Sequence, residues 1–493
     1  MCGVRASPPR SSRRRLIAVG VLAALALSLA GNREAGEAAG EAARQATPVE
    51  VDLVIFGGTV ITMDAARRVL TPGAVAIRGT DIVAVGESDE VRRTHAATRT
   101  IDASGGIVMP GLVNTHTHAP MVLYRGLADD LALMDWLEQY IFPAEARTVT
   151  AGFVEVGTRL AALEMIRSGT TTFADMYYFE GDVARATRAA GLRAVLGQTI
   201  IGPPAPDAKT PAEALARTDA FITAFKDDAL ITPAVAPHSM YLVDRATLLA
   251  CRNLAVKRGV PLLIHVAETQ AEIATARERH QASPVEFLEA MSFWGPVTVA
   301  AHGVWVSDAD IAILARRGVG VSHNPESNMK LASGVAPVPK YLASGVPVGL
   351  GTDGAASNND LDMFEAMRQA ALLHKLTTGD PRTVPAIAAL EMATIGGARV
   401  LGLERSVGSL QAGKRADVVI VDAAQPRHTP MYDPVSHLVY VMRGDDVVTT
   451  IVNGRVLMEN RRVLSLDERK VLEDARRVAE AVRRAVRPVM SRP

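Results

Sequence analysis

The sequence predicts an α/β fold in which a (β/α)8 barrel of the TIM type carries a small composite β-sandwich domain built from both chain ends. Eight short apolar runs alternate with helical stretches over about 260 residues in the centre of the chain, and this alternation is typical of such a barrel. Similar β-like runs stand before and after that region. With 48% hydrophobic and 22% charged residues among 493, the composition is that of a globular protein with a large buried core.

The charges and cysteines exclude several classes of protein. The 53 basic and 53 acidic residues give a formal net charge of zero, which argues against a nucleic-acid surface made by bulk basicity. The two cysteines, Cys2 and Cys251, are too few for a disulfide scaffold or a zinc module built on four cysteines. We expect a small-molecule substrate, no nucleic-acid partner and a homo-oligomer.

Residues 1–30 have the pattern of an export signal. They contain five arginines and no acidic residue, and their apolar run at 16–30 is short for a membrane span but suited to a signal peptide. Residues 28–30, Ser-Leu-Ala, offer a cleavage site, and Arg13 with Arg14 resembles a twin-arginine signal. General secretion and an uncleaved anchor are the alternatives. We expect export to the periplasm, with no stable membrane span after cleavage.

Short apolar runs typical of β-strands flank the predicted barrel on both sides. After a flexible Ala/Gly/Glu-rich linker at 31–47, the runs VDLVIFGG, AVAIRG and DIVAVG are separated by glycine and polar turns. Such runs return in ADVVIVD and VVTTIVNGRVLM, where Asn453-Gly454 predicts a hairpin turn. We interpret residues 48–107 and 405–461 as one composite β domain around a barrel at 108–404.

The predicted barrel strands end in polar residues. The eight runs are GIVMPGLVNTHTH, GTTTFADMY, LRAVLGQT, ITPAVAPHS, VPLLIHVAE, VTVAAHG, GVGVSHNPESN and VPVGLGTDG. Because such barrels keep their chemistry at the C-terminal ends of the strands, the polar residues there are site candidates. These candidates are His116, His118, Asp175, His238, His265, Glu268, His302, His323 and Asp353. Beyond the barrel, residues 465–488 read as an amphipathic helix, with a capping-box pattern at Ser465 and Glu468.

Histidines at strand ends predict a metal centre. His116 and His118 are two residues apart on a strand, so their side chains point to the same side, about 6.6 Å apart along the chain. His265, His302 and Asp353 end the fifth, sixth and eighth strands and point into the same mouth. Neutral imidazoles with a carboxylate suit Zn²⁺, with Fe²⁺ as the alternative.

Long segments of the chain resemble the amidohydrolase superfamily, and most closely its 5′-methylthioadenosine/S-adenosylhomocysteine deaminase group. The resemblance spans roughly Val51 to Arg461 and rests on PGLVNTHTHAPMVLYRGLADDLALMDWLEQYIFPAE, HVAET, AHGVW, SHNPESNMKLASG and GLGTDGAASNN. It implies that the metal ligands are His116, His118, His265 and Asp353. It also implies that Asp353 acts as a base and that His302 shuttles protons.

The resemblance also bears on the number of metal ions. Two-metal members of the superfamily carry a carboxylated lysine at the end of the fourth strand. The corresponding run here, ITPAVAPHSMY, offers His238 and no lysine. We therefore expect one divalent ion per chain.

Glu268, three residues after His265, is the candidate acid. In isolation, a solvated loop carboxylate is the better interpretation of this residue. Deamination, however, needs a group that protonates a ring nitrogen while the adjacent carbon is attacked. A glutamate against an apolar wall can be protonated near neutral pH, so we expect Glu268 to be catalytic and to touch the substrate.

The resemblance to the deaminase group also implies five further residues as substrate contacts. The resemblance implies that Trp136 packs on the nucleoside and that Glu145 accepts hydrogen bonds from the ribose diol, which suits the two oxygens of a carboxylate. Trp136 also reads as an ordinary core aromatic. His238 resembles a purine-contacting histidine, and Ser357 is a weaker match. Arg193, by its place in GLRAVL, resembles an arginine that meets the amino-acid end of the homocysteine-linked substrate.

One segment departs from the group. The loop at 199–213, TIIGPPAPDAKTPAE, contains no arginine, which favours methylthioadenosine over the zwitterionic homocysteine adduct. The sequence thus predicts a metal-dependent hydrolytic deaminase of adenosine-type nucleosides. The rival within the group is an aminohydrolase or chlorohydrolase of free purine, pterin or triazine rings. The rival from another class is a metal-free binding protein, against which the complete ligand set with Glu268 argues.

Other motifs in the sequence are weaker evidence of function. Gly349 to Gly354 matches the dinucleotide-binding pattern G-x-G-x-x-G, but His374 stands where that pattern needs an acid. The H-E-x-x-H zinc motif and the G-x-S-x-G nucleophile motif are absent from the sequence. We interpret His323 and Asp175 as residues that brace the site rather than ligands.

Overall fold

The computed structural model describes residues 47–295 and 297–490. The predicted signal peptide, and all but the last residue of the predicted linker, lie outside the described residues, so both stay predictions.

Eight parallel strands form a single sheet in chain order, which confirms the predicted barrel. They are β8 (Leu112–Thr117), β9 (Thr170–Tyr177), β10 (Arg193–Ile200), β11 (Ile231–Pro237), β12 (Leu262–Val266), β13 (Thr298–His302), β14 (Gly320–His323) and β15 (Val348–Leu350). The first and last strands meet through side chains. The Thr115 hydroxyl donates to the Leu350 carbonyl at 2.9 Å, and the Asn114 amide donates to Thr352 Oγ1 at 2.7 Å.

Burial on both faces explains why the barrel strands are short apolar runs in the sequence. Every residue of β9 and β10 is buried, as expected for parallel strands that are covered on both faces. The connecting helices follow local signals: the helix at Ala151–Ser168 begins after Thr150, whose side chain accepts the Phe153 N–H, and ends at Gly169 with φ +84°.

The α-helices are α1 (Ser88–Thr94), α2 (Leu133–Trp136), α3 (Phe142–Thr148), α4 (Ala151–Ser168), α5 (Glu180–Ala190), α6 (Pro211–Phe225), α7 (Arg245–Arg258), α8 (Gln270–His280), α9 (Pro284–Ala290), α10 (Asp308–Arg317), α11 (Pro325–Lys330), α12 (Val338–Ala343), α13 (Met363–Thr378), α14 (Ala386–Met392), α15 (Ile395–Val400), α16 (Pro434–Tyr440) and α17 (Glu468–Met490). Ala119–Tyr124 is a 3-10 helix and Leu137–Ile141 a π-helix. We call residues 119–148 the cover segment, because they lie over the mouth of the barrel.

Strands from both chain ends share one sheet. The N-terminal strands are β1 (Val49–Phe56), β2 (Thr59–Ile61), β3 (Val69–Leu70), β4 (Gly73–Arg78), β5 (Asp81–Glu87), β6 (His95–Asp102) and β7 (Gly106–Pro110), and the C-terminal strands are β16 (Val418–Asp422), β17 (Val447–Val452), β18 (Arg455–Glu459) and β19 (Arg462–Val463). The seven-stranded sheet has the order β19-β18-β17-β16-β7-β2-β3, and the four-stranded sheet has the order β5-β4-β1-β6. Apolar residues of the two sheets, including Ile55, Ile77 and Ile420, form one buried cluster.

The predicted hairpin turn lies between β17 and β18. Asn453 and Gly454 have φ values of +51° and +78°, and a tight two-residue hairpin turn requires positive φ at both central positions. The Asn-Gly pair is therefore the local reason for the register of these two strands.

The C-terminal helix α17 packs on the outside of the barrel. Its residues Val471, Ala475 and Val482 are buried, and the helix contacts α4 and α3. The predicted capping box at Ser465 is wrong, because the helix begins at Glu468 and the Asp467 carboxylate accepts the Lys470 N–H at 3.1 Å. Within the described part of the chain, none of the helices has the length and apolarity to cross a membrane.

Candidate metal centre and substrate pocket

Three imidazoles and a carboxylate meet at the C-terminal mouth of the barrel. The ring centroid of His116 lies 4.9 Å from that of His118 and 5.0 Å from that of His265. Asp353 Oδ1 lies 3.3 Å from His118 Nε2 and 3.5 Å from His116 Nε2. The four predicted ligands, which come from the first, fifth and eighth strands of the barrel and the residues that follow them, are thus neighbours in space.

Backbone carbonyls orient two of these rings. His118 Nδ1 lies 2.7 Å from the Met176 carbonyl, and His265 Nδ1 lies 2.7 Å from the His238 carbonyl. Since a carbonyl only accepts, each Nδ1 carries the proton and each Nε2 presents its lone pair toward the centre. Burial lowers the pKa of His116 to about 4 and that of His265 well below its usual range, so both are in the neutral form that binds metal.

Hydrogen bonds hold the Asp353 carboxylate. Its Oδ2 accepts from Ser327 at 2.7 Å and from Ser357 at 2.8 Å, and its Oδ1 accepts the Gly354 N–H at 2.7 Å. Burial opposes ionisation, but the neighbouring imidazoles of His116, His118 and His302 outweigh it and hold the Asp353 pKa well below its usual range. The prediction that Ser357 contacts substrate is corrected: its buried hydroxyl holds Asp353.

This donor set fits a divalent ion. His116 Nε2 is buried and has no hydrogen-bond partner among the described residues, an arrangement that costs free energy unless a ligand satisfies the nitrogen. Two overlapping groups share it: His116 with His118 and Asp353, and His116 with His265 and His302, each with its ligand atoms within 4.8 Å of one another. Nitrogen and carboxylate ligands of this kind are those preferred by zinc.

Glu268 and His302 face each other beside this centre. Glu268 Oε2 lies 3.7 Å from His302 Nε2, and both side chains are buried. Burial raises the pKa of Glu268. Burial opposes protonation of His302, but the carboxylates of Glu268 and Asp353 outweigh it and raise the His302 pKa. The two groups are therefore a buried acid and base within reach of each other, which suits them to hold and move protons.

Two residues that the sequence analysis missed hold this pair. The Glu272 carboxylate accepts the Glu268 backbone N–H at 2.9 Å, and Asn328 Oδ1 lies 2.9 Å from His302 Nδ1. Asn328 lies in the SHNPESNMKLASG segment. The resemblance marked this segment as important but predicted no contact for Asn328.

A pocket opens beside the centre. The structure brings Trp136, Glu145, His238 and Glu268 to its wall together with the predicted centre. Much of the remaining wall is apolar and comes from Met121, Leu133, Leu137, Ile141, Phe142 and Leu331. Among the described residues, no arginine or lysine lines it.

Glu145 is a buried acid in this wall. It lies on α3, is 5% exposed, and accepts a hydrogen bond from the Tyr177 hydroxyl at 2.7 Å. Burial raises the pKa of Glu145 to about 7, against the effect of the Tyr177 hydrogen bond. Tyr177 carries no sequence signal for this role, because its partner lies 32 residues away.

Arg193 is not part of the pocket, and the prediction that it contacts substrate is wrong. It is the first residue of β10, and its Nε lies 2.8 Å from Asp417 Oδ2 in a buried ion pair. Arg193 Nη1 also donates to the Ala229 carbonyl at 3.0 Å. The guanidinium thus joins the N-terminal end of a barrel strand to the composite domain.

The remaining candidates brace the structure. Asp175 accepts from the Thr117 hydroxyl at 2.8 Å and from the Ala119 N–H, which holds the chain on either side of His118. His323 Nε2 lies 3.2 Å from His374 Nε2 in a buried pair.

The glycines of the Gly349–Gly354 segment serve packing. A Cβ at Gly351 would lie 2.4 Å from Asn324 Oδ1 and 3.0 Å from His116 Cβ. Glycine is therefore required where this strand passes the metal ligands, and the dinucleotide reading is unnecessary.

Comparisons with known proteins agree with this geometry. Residues 107–457 match the sequence profile of the Amidohydrolase family. The chain is 50% identical over 410 residues to a 5-methylthioadenosine/S-adenosylhomocysteine deaminase from Syntrophobacter fumaroxidans, covering 83% of this chain and 93% of that protein. It is 49% identical over 411 residues to a 5′-deoxyadenosine deaminase from Methanosarcina acetivorans, with the same shares covered.

A solved structure shows the same fold. An adenosine deaminase from Xanthomonas campestris with bound zinc superposes with a TM-score of 0.87 at 37% identity, covering 89% of this chain and all of that one.

Proposed function

The chain belongs to the amidohydrolase family and is a hydrolytic deaminase, and we propose that its substrates are adenosine-type nucleosides with a small apolar 5′ substituent. The reaction replaces the amino group of the purine ring with oxygen and releases ammonia. The observation that carries the proposal is one pocket that holds the Glu268–His302 pair beside the metal centre and the buried acid Glu145 in the same wall.

The metal proposed here is one divalent ion per chain, zinc in the first place and Fe²⁺ as the alternative. His116, His118, His265 and Asp353 would hold it. When bound, such an ion supplies a Lewis acid that lowers the pKa of water from 15.7 toward about 7. The single-ion proposal is supported by the pocket wall, in which no lysine stands among the described residues.

The protein groups divide the proton transfers. Glu268, whose pKa is raised by burial, protonates the ring nitrogen next to the carbon that carries the amino group as water attacks that carbon. His302 Nε2 accepts the proton of the attacking water and passes it to the departing amine. Asp353 Oδ2 already accepts two serine hydroxyls, so His302 is the better placed of the two predicted bases.

The wall of the pocket supports the choice of 5′ substituent. The apolar side chains of the cover segment suit a methyl or methylthio group. The homocysteine adduct carries an ammonium and a carboxylate, and burying these without partners costs several kcal/mol. Arg193, the one carried-over cation for that carboxylate, is paired with Asp417.

We expect ribosides to be better substrates than free bases, and Glu145→Ala to lower kcat/KM for ribosides about 10- to 100-fold, because a hydrogen bond to a charged group is lost. Kinetics on adenine, adenosine, 2′-deoxyadenosine, methylthioadenosine and S-adenosylhomocysteine measure this. Methylthioadenosine should rank first and the free base last. If adenine or a triazine outpaces every nucleoside, or Glu145→Ala slows all substrates equally, the rival ring aminohydrolase is the correct assignment.

We further propose export to the periplasm by the twin-arginine route, supported by the N-terminal sequence alone. Replacing both Arg13 and Arg14 with lysine is expected to leave the protein in the cytoplasm, because that route reads the arginine pair as an address. Cell fractionation with an activity assay measures the distribution. Normal export of the double variant would remove the twin-arginine route and favour general secretion.

A further inference from the structure

The contact between Tyr177 and Glu145 joins two different parts of the molecule. Tyr177 is the last residue of the barrel strand β9, whereas Glu145 lies on α3 of the cover segment. The 2.7 Å hydrogen bond between them is the one side-chain hydrogen bond of Glu145 within the described residues. It therefore fixes a pocket carboxylate of the cover segment against the rigid barrel.

Tyr177 is itself firmly held. Its side chain is 3% exposed, its backbone N–H donates to Glu180 Oε1 at 2.8 Å, and it is paired in register with Gln198 of β10. The position of the hydroxyl is thus set by the barrel, and the carboxylate of Glu145 must adapt to it.

The chemistry of the pair leaves one oxygen for a ligand. A phenol has a single proton to donate, and burial raises the pKa of Tyr177 well above its usual range, so the phenol stays neutral. The donation goes to Glu145 Oε1. Oε2 has no partner among the described residues, and Glu145 lines the pocket.

We infer that Tyr177 is a specificity-determining residue, which turns the free oxygen of Glu145 toward the ribose of the substrate and so selects nucleosides over free bases. The inference rests on the proposed function. Tyr177 acts through Glu145 and is a positioning residue, not a catalytic one.

The electrostatic surroundings strengthen the role of the hydroxyl. Within the described part of the chain, the ionisable groups on which Glu145 acts are the phenols of Tyr124, Tyr177 and Tyr178, and none of these is a cation. Burial raises the pKa of Glu145 to about 7, and the Tyr177 hydrogen bond opposes that rise. Removing the hydroxyl should raise the pKa further, so that more of the enzyme carries a protonated Glu145 at pH 7.

The test replaces Tyr177 with phenylalanine. We expect KM for adenosine and methylthioadenosine to rise about 10-fold at pH 7, because the acceptor is both misdirected and more often protonated. The kcat for these ribosides, and kcat/KM for adenine, should change less than about threefold, since neither depends on the ribose contact. The riboside penalty should shrink as pH rises, because Glu145 is then more often ionised in both proteins.

Tyr124→Phe is the matched control. The Tyr124 hydroxyl lies 2.6 Å from Thr148 Oγ1, so this change also removes a buried phenol contact to α3 but leaves the hydrogen bond between Tyr177 and Glu145 in place. Its thermal stability and metal content should match those of Tyr177→Phe, without the KM effect. If both variants raise KM equally, Tyr177 only stiffens the cover segment and the inference is wrong.

A double-mutant cycle with Glu145→Ala isolates the coupling. Alanine has no acceptor for the Tyr177 hydroxyl to orient, so adding Tyr177→Phe should cost the ribosides little more. An undiminished effect in that background overturns the inference. The wild-type substrate panel decides the proposed function separately: riboside preference with an inert Tyr177→Phe refutes this inference alone, and a wild type without that preference refutes both.

Discussion

Replacing Glu268 with glutamine is expected to lower kcat about 10²- to 10⁴-fold, the range of general acid–base catalysis, and to leave the metal content unchanged. The amide keeps the shape and the size of the side chain but has no carboxyl proton to deliver. Glu268 is not among the four predicted ligands, although it lies 3.7 Å from His302. The loss should therefore fall on turnover rather than on metal binding or folding.

The proposed acid role also predicts the direction in which activity changes with pH. Burial raises the pKa of Glu268, and the active form is the protonated one, so wild-type activity should fall as pH rises through that raised pKa. In Glu268→Gln this alkaline limb should disappear from the residual rate. Steady-state kinetics and elemental analysis check both points, with Glu278→Gln, at an exposed position of the helix α8 that follows Glu268, as control. A near wild-type rate for Glu268→Gln would refute the acid role.

Much of the fold was predictable because parallel barrel strands leave a plain pattern. Buried strands such as β9 and β10 read as short apolar runs, and the turn signals between them are local. The terminal sheet was predictable for the same reason, with Asn453-Gly454 fixing its hairpin. Ser465 shows the limit: the capping-box pattern was present, but Asp467 offers a carboxylate closer to the helix start.

The metal centre was predictable from strand ends, whereas the residues that hold it were not. His116 and His118 stand in one recognisable motif, and the ends of parallel strands meet at the same mouth. Ser327, Asn328 and Tyr177 are ordinary polar residues in sequence, and each acquires its role from a partner brought near by the fold. No local pattern records such a pairing.

Arg193 shows how a carried-over residue can fail. Its place in GLRAVL matched the resembled group, but it is the first residue of its strand, at the end of the barrel opposite the pocket. Its partner, Asp417, lies 224 residues away in the sequence, so nothing near Arg193 in the chain indicates the ion pair. The buried carboxylate of Asp417 and the guanidinium satisfy each other, and the substrate is left without that cation.

The geometry of the centre leaves one assignment to be decided, since His302 belongs to one of the two overlapping groups of metal-competent atoms. Two observations favour the interpretation in which His302 is not a ligand. His265 Nδ1 lies 2.7 Å from a backbone carbonyl, which fixes its Nε2 toward the centre. His302 instead has its Nε2 3.7 Å from Glu268, which is the arrangement of a group that moves protons.

We therefore expect His302→Asn to keep about one metal ion per chain and to lose turnover by about 10²-fold or more, whereas His265→Asn should lose both. Asparagine fills most of the space of the imidazole but cannot cycle a proton. Removal of a true ligand weakens the site directly, because the ion loses one of its few strong donors. Elemental analysis of the purified variants, with kinetics on methylthioadenosine before and after added zinc, distinguishes a metal ligand from a group that moves protons. Loss of metal from His302→Asn would make His302 a ligand. Two stoichiometric ions in the wild type would refute the mononuclear centre. The four predicted ligands suit a single tetrahedral ion. In the part of the chain that the structure describes, the pocket wall holds no lysine that could bridge a second ion.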